Sequence, residues 1–248
     1  MPQTPGRYNC AILKMKLSRR ALFSLGLILG ITLVIGFLIW SGIWIPNRPS
    51  HAAYPIRGID VSHHQHDIDW NSVKASGIQF AYIKATEGAD FRDEKFLRNW
   101  RDSHAAGIVH GAYHFFTFAS SGKAQAANFI ATVPVESLAL PPAIDLEVFG
   151  PSGQPSPKKF QLELEAFSAA IAARFGKAPV IYTVPDFQKT YLDGIAIERL
   201  WIREVVIKPR QRWMFWQFSP RGRVPGVPTF VDLNVFNGEP ADFEMLLK

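Results

Sequence analysis

The chain has 248 residues, 48% hydrophobic and 13% aromatic, with a formal net charge of +6. That length and apolar content suit one folded domain with a sizeable core and exclude a disordered or low-complexity chain. Of the 27 Lys and Arg residues, five precede Pro46 together with none of the 21 Asp and Glu. The remainder is therefore close to neutral, which argues against nucleic acid as a partner.

The first element is residues 21–45, ALFSLGLILGITLVIGFLIWSGIWI, which holds no charged side chain. As a helix it would run about 37 Å at 1.5 Å per residue, enough to cross a hydrocarbon core of about 30 Å. Lys14, Lys16, Arg19 and Arg20 precede it. Basic flanks stay in the cytoplasm, so residues 1–20 are expected inside and everything after Pro46 outside, periplasmic or extracellular. The expectation is a single-pass signal anchor in the cell (inner) membrane, with Trp40 and Trp44 at its outer interface. A cleaved signal peptide is the alternative: Ser50-His51-Ala52 loosely resembles a cleavage site, but the apolar stretch is longer than a typical signal core. Cys10, the one cysteine, falls on the inner side, so the exported part does without disulfides.

Residues 46–55, with three prolines, read as a linker. From 56 to 240 short apolar runs alternate with amphipathic ones. Strands are expected at 56–61, 79–85, 108–115, 139–147, 178–183, 197–202, 213–218 and 230–236, and helices at 68–75, 93–106, 123–132 and 158–175. This alternation predicts an α/β fold, a parallel sheet closed into an irregular TIM-like (β/α) barrel whose last third lacks helices. Residues 241–248 are left as a C-terminal tail. The loop 150–157, GPSGQPSP, follows the fourth strand and lies over the face where such barrels carry their chemistry.

That fourth strand ends in Asp145-Leu146-Glu147. Side chains alternate along a strand, so Asp145 and Glu147 share a face, their Cα atoms about 6.5 Å apart. Two carboxyls held close push one another's ionisation apart, giving one proton donor and one anion, which is equipment for cleaving a glycosidic bond. In isolation such a pair also occurs as two solvated acids, so the surrounding chain decides. Asp60, Glu87 and Asp232 fall at other expected strand ends, and a closed barrel would bring them to one pocket. Tyr82, Tyr113, Phe115, Tyr182, Trp201, Trp213 and Trp216 accompany them. Aromatic faces suit sugar rings, although for Phe115 and Trp213 ordinary core packing is the simpler reading. His63, His64, His66 and Asp67 crowd one loop without any metal-binding spacing, so no metal and no cofactor is expected.

The ordered motifs resemble one family. Gly58-Ile59-Asp60-Val61-Ser62 with Gln65 and Gly77, then Tyr82-Ile83-Lys84-Ala85-Thr86-Glu87-Gly88 with Asp93, open the series. Gly111-Ala112-Tyr113-His114-Phe115, Ile144-Asp145-Leu146-Glu147, Ile181-Tyr182-Thr183 and Leu200-Trp201-Ile202 follow. Trp216-Gln217-Phe218-Ser219, Val224-Pro225-Gly226-Val227 and Val231-Asp232-Leu233-Asn234-Val235-Phe236 complete it. Together they are similar to the glycoside hydrolase family 25 lysozymes, the Chalaropsis-type N-acetylmuramidases, across 58–236.

The resemblance implies an irregular (β/α) barrel that hydrolyses the β-1,4 bond between N-acetylmuramic acid and N-acetylglucosamine of peptidoglycan glycan strands, with retention. It implies Glu147 as general acid/base and Asp145 as its partner, either attacking the sugar or orienting the substrate's acetamide, with Asp60 and Asp232 in the same site. Tyr82, Glu87, Tyr113, Tyr182, Trp201, Trp216 and Gln217 are the expected substrate-binding residues. Ile202-Arg203-Glu204 departs from the family's usual small and aromatic residues, and His66 from a small or acidic one. A non-catalytic peptidoglycan-binding module would not need the proton donor. A chitinase-like hydrolase usually carries acids upstream in D-x-x-D-x-D-x-E, where Ala143 stands here. Oligomeric state is not legible in the sequence.

Overall fold

Which way each strand residue points decides this architecture. In the computed structural model the described residues are 18–147 and 154–248. Cys10, Lys14, Lys16 and the first part of the 150–157 loop lie outside them. The strands are β1 (Arg57–Val61), β2 (Phe80–Glu87), β3 (Phe91–Arg92), β4 (Val109–Phe115), β5 (Ala143–Leu146), β6 (Val180–Thr183), β7 (Leu200–Arg203), β8 (Phe215–Gly222) and β9 (Val231–Phe236). β3 folds back on β2, and the other eight close a ring because β1 pairs with both β2 and β9. Seven run parallel, and β9 runs antiparallel to β8 and β1.

Helices α2 (Trp70–Ala75), α3 (Phe96–Ala105), α4 (Gly122–Thr132), α5 (Pro157–Phe175) and α6 (Pro185–Tyr191) cross over outside the parallel strands. Among the described residues no helix stands between β7, β8 and β9, so the last third is irregular as expected. The boundaries have local causes. At α5, the Ser156 hydroxyl accepts from Lys159 N–H, Pro157 occupies the first turn, and Gly176 ends the helix at φ 69°. Such a cap contributes about 1 kcal/mol, and the left-handed end suits a residue without Cβ. The fourth strand is shorter than expected, 143–146 rather than 139–147. Pro141 and Pro142 precede it and have no N–H to donate to a ladder.

Odd and even strand positions separate into two cores. Ile59, Val61, Ala81, Ile83, Ile144, Leu146, Ile202 and Val235 point outward and pack with Phe96, Phe129, Phe160 and Phe167 of the helices. Phe80, Tyr82, Trp201, Phe215 and Phe236 point inward and fill the lower barrel. Room for these rings comes from glycine: a Cβ on Gly58 would lie 2.4 Å from the Phe80 ring, and one on Gly111 2.6 Å from the Tyr82 ring. The expected tail is part of this core. It forms α7 (Pro240–Met245), whose Phe243 closes the barrel floor against Phe80 and Phe236 at 5.6 and 5.2 Å.

The N-terminal helix α1 (Arg19–Trp40) stops five residues before the expected boundary. Gly42 takes φ 70°, and a Cβ there would meet the Arg221 carbonyl at 2.1 Å. Arg223 donates to the Ser41 carbonyl at 2.8 Å, and Arg221 to that of Trp40. The 22-residue helix is still about 33 Å long, and Leu22–Trp40 is long and apolar enough to cross a membrane by length and composition. The segment 46–55 is not a free tether. Tyr54 packs 5.5 Å from Trp213, the Pro49 carbonyl accepts from Arg57, and Ile45 is buried in the outer core.

Candidate active site

Above the aromatic floor, the same inward positions turn from apolar to polar. Asp60 of β1, Lys84 of β2, Tyr113 and Phe115 of β4, Asp145 of β5 with Glu147 just past its end, Tyr182 of β6, Trp201 and Arg203 of β7, Gln217 of β8 and Asp232 of β9 line one cavity of about 460 Å³. The cavity lies at the carboxyl ends of the parallel strands, where barrels of this kind assemble their sites. Leu146, between the two acids, points into the outer core, so the alternation expected for Asp145-Leu146-Glu147 holds.

Asp232 needs a correction: it lies at the start of β9, not at the end of a strand. β9 is antiparallel, which brings its beginning to the rim where its parallel neighbours end. Asp232 therefore sits directly opposite Asp60 in the β1–β9 ladder. Like charges facing each other across a ladder destabilise it, so the pair is a feature the fold tolerates rather than one that holds it together.

A hydrogen-bonded chain fixes these groups. Trp201 Nε1 donates to Asn234 Oδ1 at 2.8 Å, and Asn234 Nδ2 donates to Asp60 Oδ2 at 2.7 Å. Gln217 Nε2 donates to the same Asp60 oxygen at 3.0 Å. With its amide so oriented, Gln217 turns Oε1 to the Tyr182 hydroxyl, 3.0 Å away. That hydroxyl is also 3.3 Å from Glu147 Oε2, so its single hydrogen serves one acceptor at a time. Arg203 Nη1 approaches the same Glu147 oxygen at 3.4 Å. Asp145 Oδ1 is buried without a hydrogen-bond partner.

Burial and mutual repulsion shape the ionisation of this cluster. Asp60 is pushed up to about 6, by burial first and by Glu147, against the lowering effect of its bonds from Asn234 and Gln217. Burial, Glu147 and Asp60 hold Asp145 well above the ordinary carboxylate range. Burial and Asp60 do the same to Asp232. Burial and the surrounding carboxyls keep the Tyr113 and Tyr182 hydroxyls protonated. Carboxyls this close share protons and titrate as a group, so the cluster releases its protons at a higher pH than isolated carboxyls would.

Seven of the sequence-derived candidates besides Asp145 meet in the cavity: Glu147, Asp60, Asp232, Tyr113, Tyr182, Trp201 and Gln217. Three do not. Tyr82 lies one layer lower, its hydroxyl on the Pro141 carbonyl and its ring stacked on Trp201 at 4.8 Å. Trp216 follows Phe215 onto the outward face, where its Nε1 donates to the Glu204 carbonyl at 2.7 Å. Glu87 sits outside the lining and holds Lys84 Nζ at 2.7 Å. Lys84 and Arg203 were not among the candidates, yet each stands two positions past an inward aromatic residue, Tyr82 and Trp201, and strand alternation alone points to both.

The histidine loop contributes His64 to the lining together with Ser62 and Gln65, while His63 and Asp67 are paired elsewhere. His63 Nδ1 is bonded to Asp93 at 2.8 Å, and Asp67 is paired with Lys95 and Arg98 at 2.7 and 2.9 Å. His66 ends the 3₁₀ turn His63–Gln65 at φ 58°, an uncommon value for a residue with a Cβ. His114 of the Gly111–Phe115 motif is a core residue, bonded to Thr86 and Gln125 and stacked on Phe167; burial lowers it to about 4.

Known proteins share this fold. Residues 59–227 match the sequence profile of the glycosyl hydrolases family 25. Lysozyme M1 of Streptomyces globisporus is 39% identical over 204 residues, 75% of this chain and 69% of that protein. A family 25 glycosyl hydrolase from Bacillus anthracis superposes with a TM-score of 0.75 at 35% identity, over 80% of this chain and 96% of its own. A bacterial lysozyme from Streptomyces coelicolor does so with a TM-score of 0.72 at 38% identity, over 77% and 96%. The profile match, these identities and the shared barrel make this chain a glycoside hydrolase belonging to glycosyl hydrolases family 25.

Proposed function

We propose that the chain is a muramidase that hydrolyses the β-1,4 bond between N-acetylmuramic acid and N-acetylglucosamine in peptidoglycan, with retention, held on the outer face of a membrane by α1. The observation that carries this reading is the buried acid cluster at the barrel's carboxyl rim, with Asp145 and Glu147 side by side over an aromatic floor. The lysozyme names of similar proteins point to the same polymer.

In this mechanism Glu147 gives its proton to the glycosidic oxygen as that bond breaks. The carbonyl oxygen of the substrate's own acetamide attacks the anomeric carbon, and Asp145 Oδ1 receives the acetamide N–H. Glu147 then takes a proton from water, which opens the ring intermediate and restores the original configuration. The substrate-assisted version fits better than direct attack by Asp145. A nucleophile must be ionised before it attacks, and burial, Glu147 and Asp60 all favour the protonated form of Asp145. An arriving N–H compensates for ionisation at the one Asp145 oxygen that lacks a partner. Asp60, ionised once the pH exceeds about 6, supplies negative potential for the cationic sugar, with Asp232 opposite it in the ladder. Tyr182 and Gln217 fix Glu147 relative to Asp60.

The test is Glu147→Gln in the full chain, purified in detergent micelles. Digestion of purified peptidoglycan should fall by at least about a thousandfold, the scale on which essential acid/base groups act, while the thermal melt stays cooperative. Undiminished clearing by the folded variant would remove Glu147 from the chemistry.

A further inference from the structure

Arg203 is a cation at the centre of an acid-lined cavity, and the hydrolytic step described above gives it no task. It is half-exposed, and its approach to Glu147 is a single contact of 3.4 Å, long for a charge-assisted bond. A guanidinium presents five N–H donors in a planar fork; Arg203 spends part of it on Glu147 and on the Tyr182 hydroxyl, which leaves further donors for a ligand. The other cation in the lining, Lys84, is occupied. Its Nζ is held by Glu87 at 2.7 Å and lies over the rings of Phe115 and Phe91 at 4.8 and 5.4 Å. Arg203 is thus the cation available to a ligand, and it stands beside the group assigned to protonate the scissile oxygen.

We propose, on the basis of the muramidase reading, that Arg203 binds the lactyl carboxylate of the muramic acid being cut, so that the enzyme prefers glycan strands whose stem peptides have been removed. The chemistry is specific. Muramic acid carries its lactyl ether on the ring carbon next to the acetamide carbon, so this group enters the cavity with the reacting ring. In stem-bearing strands the lactyl carbonyl is a neutral amide. In stem-free strands it is a carboxylate, the planar two-oxygen partner that a guanidinium fork matches. Carboxylates of an intact stem begin beyond its first amino acid, farther from the reacting ring than the lactyl carbonyl. The carboxyls of Asp60, Asp145, Glu147 and Asp232 offer a further carboxylate no attraction, so Arg203 is the lining group that favours this charge. The reaction class that must supply the substrate is hydrolysis of the lactyl–peptide amide.

The experiment compares three substrates with the full chain in micelles: stem-free strands, the same strands with lactyl carboxylates converted to methylamides, and stem-bearing strands. Wild-type kcat/KM on stem-free strands should exceed that on the other two by about tenfold or more, the usual range for a charge-assisted pair. In Arg203→Met the ratio should fall to within about twofold of unity, and Arg203→Lys should lie between. A residue that only balances the charge of the acids would be replaced by Lys without loss, so a full wild-type ratio in Arg203→Lys would also overturn the proposal. Equal wild-type rates on all three strands, or an unchanged ratio in Arg203→Met, would overturn the proposal while leaving the muramidase assignment intact. Wild-type inactivity on every strand would overturn both. The wild-type ratio decides the matter even if Arg203→Met folds poorly.

Discussion

Replacing Asp60 by Asn should make the fold more stable at neutral pH and leave it little changed in acid. Asp60 is mostly buried, faces Asp232 across the ladder, and is held at about 6 against an ordinary 3.8. An acid whose folded pKa lies above its unfolded value contributes stability that is fully present below the unfolded pKa and is lost as pH rises through the folded one. About two units at 1.36 kcal/mol each gives roughly 3 kcal/mol, lost between about pH 4 and pH 7. Asn keeps an oxygen for the Asn234 and Gln217 amides but never ionises, so it escapes that loss. For a barrel of this size 1 kcal/mol corresponds to about 2–4 °C in Tm. Circular-dichroism melts in one detergent should therefore show Asp60→Asn gaining about 6–12 °C on the wild type between pH 4 and pH 7, while activity falls. The same offset between the two proteins at both pH values would refute the argument that this cluster is maintained at a cost to stability.

Two further substitutions separate the site from its scaffold. Tyr182→Phe deletes the hydroxyl between Glu147 and Gln217 but keeps the ring against Trp201 at 4.9 Å. We expect kcat to fall by about 10- to 100-fold with a small change in Tm, and a kcat within twofold of wild type would show that the hydroxyl does not position Glu147. Trp216→Phe should do the reverse. It removes the shorter of the two bonds to the Glu204 carbonyl, leaving Asn47 Nδ2 at 3.4 Å, and takes volume from the outer core, costing about 1–3 kcal/mol with kcat within about twofold. Lost activity at an unchanged Tm would place Trp216 in the site after all.

The barrel and its acids were legible because they follow a period of two. Alternation put Asp145 and Glu147 on one face, and eight short runs were enough to close a ring. What alternation cannot show is depth. Tyr82 and Lys84 share a face, but only their partners tell which reaches the rim: the Tyr82 hydroxyl ends on the Pro141 carbonyl, whereas Lys84 lines the cavity. Trp216 looked like a sugar platform because it lies near the end of its expected strand, yet it sits one residue before the inward-facing Gln217 and so points outward. Asp232 reached the site through an antiparallel strand, and nothing local in its sequence distinguishes strand direction. The linker and tail were misjudged for a different reason: short Pro-rich and charged segments look solvated, and Tyr54 and Phe243 reveal their packing only through distant partners.

Mass spectrometry of borohydride-reduced fragments released from purified peptidoglycan by the full chain tests the central claim most directly. The account predicts new reducing ends on N-acetylmuramic acid, produced by the wild type and not by Glu147→Gln. Reducing ends on N-acetylglucosamine, or anhydromuramic ends, would contradict it.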